Sequence, residues 1–293
     1  MEVALLSLGI GTFAVVTVAI LSGLTGLLKA AKSRLIRPLI LSYSYRNPPA
    51  LDGSSERFPL DETDTLRSIA LEISFPPHLR GEAVFSLGRH GDREVVSDLL
   101  EFLNSPHPEI RKGAVDGLWA LLKRGVVDSP IDSFLTVVRC DKDADVRRRA
   151  VSAMEVYGSG ATQHLIVLLD HMDRSVRIEA GRVLGRLGDR RGSVPLIARL
   201  NRGSYEERKA VLEALGNMRA ADAVAPIIEL FDANRPDAPI ARDAAKALAL
   251  IGDERAIPHI GRAILEQLAT TEKPHRDMLF SYQKLMRGAR KRA

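Results

Sequence analysis

DRSVRIEAGRVLGRLGD, residues 173–189, decides how the rest of this chain is read. Its apolar residues recur every three or four positions, which is the spacing of one face of a helix, and nothing in it alternates as a strand would. It closes on Gly188-Asp189, a helix stop followed by a helix start. Within it Arg177, Ala180 and Leu184 set a frame of an arginine, a small residue three on and an apolar residue seven on. That frame recurs at Arg80/Ala83/Leu87, Arg111/Ala114/Leu118, Arg147/Ala150/Met154 and Arg208/Val211/Leu215, with a sixth copy around Ala241 to Leu248 whose arginine is displaced to Arg242. Successive arginines are 31, 36, 30 and 31 residues apart. A period in that range is the signature of a repeat architecture, here with one loop insertion.

Each period holds two short amphipathic helices. The first carries runs such as VVSDLLEFL (95–103), HLIVLLD (164–170) and VPLIARL (194–200), and the second carries the arginine frame. Gly91-Asp92, Gly188-Asp189 and Gly252-Asp253 recur at one phase, and Pro195, Pro226 and Pro258 fall just inside the helix that follows, where a missing N–H costs little. One such pair cannot bury its own apolar face, so neighbours must stack and share it. The fold expected is all-α: an α-solenoid of about seven helix pairs over residues 62–290.

The stretches Asp173-Arg-Ser-Val-Arg177-Ile-Glu-Ala180, Leu184-Gly185-Arg-Leu-Gly188-Asp189 and Asp143-Ala-Asp-Val-Arg147-Arg-Arg-Ala150 resemble the HEAT-repeat family, in its short bacterial form named after phycobilisome-lyase HEAT-like repeats. The resemblance covers the repeat region and implies a right-handed solenoid with the arginine-bearing helices on the concave side. It also implies ladders of Asp and Arg between neighbouring repeats, placing Asp143 or Asp145 near Arg177 and Asp173 opposite Arg208. Asn104 to Pro108 lacks the corresponding Asp, a departure from the ladder pattern.

Ahead of the repeats, Val3 to Leu28 contains no charged residue. A helix of about 20 residues crosses a hydrocarbon core, so this stretch is expected to span a membrane. Glu2 precedes it, and Lys29, Lys32, Arg34 and Arg37 follow, the reverse of a cleaved signal peptide. The positive flank places the N-terminus outside and the repeats in the cytoplasm, at a bacterial inner membrane. Ala19/Gly23 and Ser22/Gly26 put small residues on one face of this span, where another transmembrane helix can approach closely; the other reading is that Gly is simply common in membrane helices. The domain plan is an anchor and basic flank (1–34), an interfacial segment and linker (35–61) and the solenoid (62–290).

The formal charge is +5, but residues 1–50 carry +4 and the cluster Lys284, Arg287, Arg290, Lys291 and Arg292 carries +5, leaving residues 51–283 at −4. A nucleic-acid partner is not expected, because a nucleic-acid footprint needs excess basic residues on the folded body. Cys140 is the single cysteine, read as an ordinary, partly buried thiol. There is no His-Glu-x-x-His, no phosphate-binding glycine loop and no nucleophile elbow, so no catalytic, cofactor or metal residue is assigned and a small-molecule ligand is not expected.

The candidate partner-binding residues are Trp119, Arg149, Arg182 and Arg186. Trp119, the only tryptophan, stands eight after Arg111, where other repeats place Gly88, Glu155, Gly185 and Gly216. It either projects as an aromatic anchor for a partner or fills a gap left by the 36-residue unit. The arginines either form a basic strip or are broken up by Glu82, Asp116, Glu179 and Glu213 at nearby phases. The function expected is a membrane-anchored scaffold holding a membrane-associated protein partner, such as a cell-surface polysaccharide assembly. The alternative is an enzyme or enzyme subunit: a lyase-like chromophore or modification factor, or a DNA-acting protein.

Overall fold

The computed structural model describes residues 60–126, 131–270 and 273–292, and among them every regular element is a helix. The apolar run 3–28, the interfacial segment and most of the linker lie outside the described residues. No described helix is long and apolar enough to cross a membrane.

The chain divides into two compact units, residues 1–156 and 157–293. The first holds three helix pairs: α1 (Leu60–Leu71) with α2 (Pro77–His90), α3 (Val96–Phe102) with α4 (Pro108–Lys123), and α5 (Asp132–Cys140) with α6 (Ala144–Ala153). The second holds four: α7 (Thr162–Leu168) with α8 (Arg174–Leu187), α9 (Ser193–Ile197) with α10 (Tyr205–Asn217), α11 (Val224–Asp232) with α12 (Pro239–Ile251), and α13 (Ile257–Thr270) with α14 (Arg276–Arg292). The described helices thus form the seven pairs that the period predicts.

The frame is the core. Ala83, Ala114, Ala150, Ala180 and Ala244 are fully buried and Val211 is 5% exposed; Leu87, Leu118, Met154, Leu184, Leu215 and Leu248 are all fully buried. Each large side chain so buried contributes roughly 1.5–3 kcal/mol. The small residue at the intermediate position keeps the helices close. Closest of all are α2 and α4: a Cβ on Gly88 would lie 2.2 Å from the Cα of Gly117, so only glycine fits there. In the second unit Gly185 plays the same part against Ala214, where a Cβ would come within 2.5 Å of the facing Cα.

The Gly-Asp pairs act as the sequence predicts. Gly188 and Gly252 end α8 and α12 in the left-handed conformation, at φ 67° and 82°. Asp92, Asp189 and Asp253 each accept the backbone N–H two residues on and so cap the short 3-10 turns that lead into α3, α9 and α13. Asp143 and Asp173 are likewise N-caps, of α6 and α8.

One expectation is corrected. Cys140 is exposed rather than partly buried, because it is the last residue of α5 and the chain turns away at Asp141.

Candidate functional site

The repeated arginine has a local job. Arg80 donates to the Ala70 carbonyl, Arg111 to Ser105, Arg147 to Asp141, Arg177 to His171, Arg208 to Leu200 and Arg242 to Asp237, at 2.7–3.2 Å. In the first five the acceptor lies at or just beyond the end of the preceding helix, where carbonyls have no intrahelical partner, whereas Asp237 lies just ahead of α12. The arginine therefore clamps the turn inside its own repeat. Arg242 does this from one position further on, as the displaced sixth copy requires.

Some arginines also reach the following repeat. Arg111 meets Asp141. Arg177 meets Glu207 at 2.5 Å, and Glu207 also closes the capping box of α10 with Ser204. Burial pushes the Glu207 carboxyl up, but Arg177 and Ser204 outweigh it and hold the group down at about 2. The acid crossing this joint is Glu207, while Asp173 holds the N-terminus of its own helix and Arg208 is turned to Leu200. The ladder exists, but its acid is not the one the family resemblance implies.

Trp119 and Arg149 lie in the first unit. Lys112, Asp116, Trp119 and Lys123 form one stripe along α4, with Lys123 Nζ 4.9 Å from the centre of the indole. Asp116 pairs with Arg149 of α6, and Lys112 lies 3.6 Å from Asp143 and 3.8 Å from Asp145. Burial raises the Asp116 carboxyl, an effect that Arg149 partly offsets. Trp119 itself is half-buried. It stands where Gly88 and Gly185 allow the next arginine-bearing helix to touch backbone to backbone. Beside it, α4 is joined to α6 by the Asp116–Arg149 pair, and Lys112 reaches Asp143 and Asp145 at the start of α6.

Arg182 and Arg186 lie in the second unit, exposed on α8, and both address Glu179, whose side chain is only 7% exposed. Their guanidinium groups lie 3.8 and 3.3 Å from it. These arginines are therefore held by an acid of their own helix, Glu179. The four candidate residues form two clusters, Trp119 with Arg149 and Arg182 with Arg186. Among the described residues no group of three His, Cys, Asp or Glu side chains is placed to hold a metal ion.

The aromatic-and-ion-pair cluster on α4 and α6 offers contact chemistry rather than bond-making chemistry. A flat indole edge, a lysine across its face and flanking charges suit a protein surface, where tryptophan and arginine dominate binding.

Comparison with curated protein sequences returns no match. Among solved structures, the chain is similar to the complex of CpcE and CpcF of phycocyanin lyase from Nostoc sp. PCC7120, at 22% identity over 65% of this chain and 93% of that one, with a TM-score of 0.39. It is also similar to an engineered protein, at 19% identity over 84% of this chain and 94% of that one, with a TM-score of 0.37. The family described as HEAT repeats matches residues 63–155 and 193–273. That match takes in more than half of the sequence and both units, and the chain belongs to the HEAT-repeat family.

Proposed function

We propose that this protein is a docking scaffold, tethered to a bacterial inner membrane by residues 3–28 with its repeats in the cytoplasm, and that it holds a membrane-associated protein partner. The observation that carries the docking role is the half-buried Trp119 with Lys123 over its ring and the Asp116–Arg149 pair beside it. Aromatic anchors set among charged groups that exclude water are where binding energy concentrates. The tether rests on the uncharged run 3–28 and the four basic residues within nine positions after it. A tether raises the local concentration of the repeats beside membrane partners and strengthens binding without a new contact.

Copurification of the full chain from detergent-solubilised membranes tests the reading. A protein partner near one-to-one stoichiometry is expected. Purification with a bound chromophore, metal or DNA and no protein partner would make the chain an enzyme or enzyme subunit instead.

A further inference from the structure

Neighbouring repeats within each unit are joined by polar pairs whose donor often comes from the earlier repeat. Within the first unit Arg67 donates forward to Asp98, and Arg111 to Asp141. Within the second, Arg177 donates forward to Glu207, Tyr205 to Asp243, and Lys246 pairs with Asp277. At each of these joints the donor belongs to the earlier repeat and the carboxylate to the later one. Arg149–Asp116, Arg199–Asp170 and His259–Asp232 run the other way across three of the same joints.

The last arginine-bearing position has no arginine, but its helix can be put in phase by contact. Asp277 under Lys246 corresponds to Asp243, and the buried Met278, Ser281 and Leu285 then fall on the inner face of α14. In this phase Phe280 is the counterpart of Lys246, the residue that reaches the following repeat. Phe280, Gln283, Lys284, Arg287 and Lys291 thus form the forward edge of α14, and all are exposed, Phe280 by 66%. No described helix covers it. Asp277, the one acid on this helix, is held below the ordinary carboxylate range chiefly by its bond to Lys246 and faces back into the array.

We infer that this edge of α14 docks an acidic amphipathic helix of a protein partner. Its carboxylates meet Lys284, Arg287 and Lys291, and its apolar side covers Phe280. The edge carries Lys284, Arg287 and Lys291 with Phe280 at its N-terminal end and no carboxylate of its own, a basic surface complementary to an acidic one. The surface is separate from the Trp119 cluster and makes the scaffold a binder at two places.

The test is a photoreactive p-benzoylphenylalanine in place of Phe280 in the full chain, irradiated in cells that make it natively, with the same probe in place of Leu265 as a control. The expected product is an adduct to a helical segment of another protein carrying Asp and Glu beside apolar residues. It should fall at least about tenfold with Arg287→Glu and Lys291→Glu, and remain with Trp119→Ala. Lipid adducts, adducts to this chain itself or to a second copy, adducts insensitive to the charge reversals, or no adduct would each overturn the inference. Loss of the adduct with Trp119→Ala would likewise overturn it, since the two surfaces would then be one. The scaffold reading fails separately, if the unmodified chain copurifies with no protein.

Discussion

Arg111 grips Asp141 of the following repeat through two parallel hydrogen bonds, Nε to Oδ2 at 2.7 Å and Nη2 to Oδ1 at 2.8 Å, while its Nη1 donates to the Ser105 carbonyl of its own repeat. One planar side chain therefore closes a turn and joins two repeats. The pair is largely shielded from water, with 13% of the arginine and 5% of the aspartate side chain exposed. Removing Arg111 alone would strand a buried carboxylate, so Arg111→Ala should cost about 3 kcal/mol in denaturant unfolding. Arg111→Lys should recover little, because an ammonium cannot make the two-pronged contact. A coupling near zero in a double-mutant cycle with Asp141→Ala would show that the joint is ornamental.

Helix spacing gives the second prediction. Gly88→Ala places a methyl group against the backbone of Gly117, and Ala180→Leu adds three carbons at a fully buried site. Each should destabilise the chain by roughly 1–3 kcal/mol and lower its melting temperature. Gly125→Ala is the control, since a Cβ there meets no atom within 4 Å and the cost is only that of a left-handed φ. An unchanged melting curve for Ala180→Leu would mean that the repeat frame is misplaced.

That frame was legible because burial acts on every copy alike: a small residue at the third position and an apolar one at the seventh leave a visible period. The role of the arginine was less visible. A carbonyl at the end of the preceding helix leaves no mark in side-chain identity, so Arg80 to Ala70 or Arg208 to Leu200 has no sequence signal. Glu207 was missed as the crossing acid because it sits beside Arg208 inside the helix rather than at the cap, where the family pattern puts an Asp. Trp119 can be aligned with Gly88 and Gly185, but that those glycines mark backbone contact is visible only in the packing of the helices. The last repeat lacks both arginine and alanine at the frame positions, so only the contact between Lys246 and Asp277 reveals its phase.

The third prediction concerns pH. His90 ends α2 and is 7% exposed; burial, reinforced by Arg89 and Arg124, lowers its pKa from 6.5 to about 4. The unfolded chain therefore takes up this proton at a higher pH than the folded one. Stability from this source is fully present above about pH 6.5 and falls as the pH drops toward 4, by up to about 3 kcal/mol. Melting temperature measured from pH 7.5 to 4.5 should decline, and His90→Gln should remove much of that slope. Equal slopes in the two proteins would assign the acid sensitivity elsewhere. The contribution of Glu207 is lost only at lower pH, as the carboxyl is protonated on the way to about 2.

The fourth prediction concerns topology, and it follows from the four basic residues after Leu28 and none before Val3. A reporter that works only outside the cytoplasm should be silent when fused after Ala293. Strong activity there would reverse the orientation, and a mature N-terminus beginning after the apolar run would remove the anchor.

The docking role is tested most directly by recovery of the partner with the Trp119 cluster altered. Trp119→Ala with Lys123→Ala removes the indole and the charge over it while leaving the Asp116–Arg149 bridge in place. Loss of a binding anchor worth about 2 kcal/mol or more should reduce partner recovered in a quantitative pull-down by on the order of 30-fold. The circular dichroism of the chain should be unchanged, and Trp119→Phe should retain part of the binding. Full recovery of the partner by the folded double variant would contradict the account.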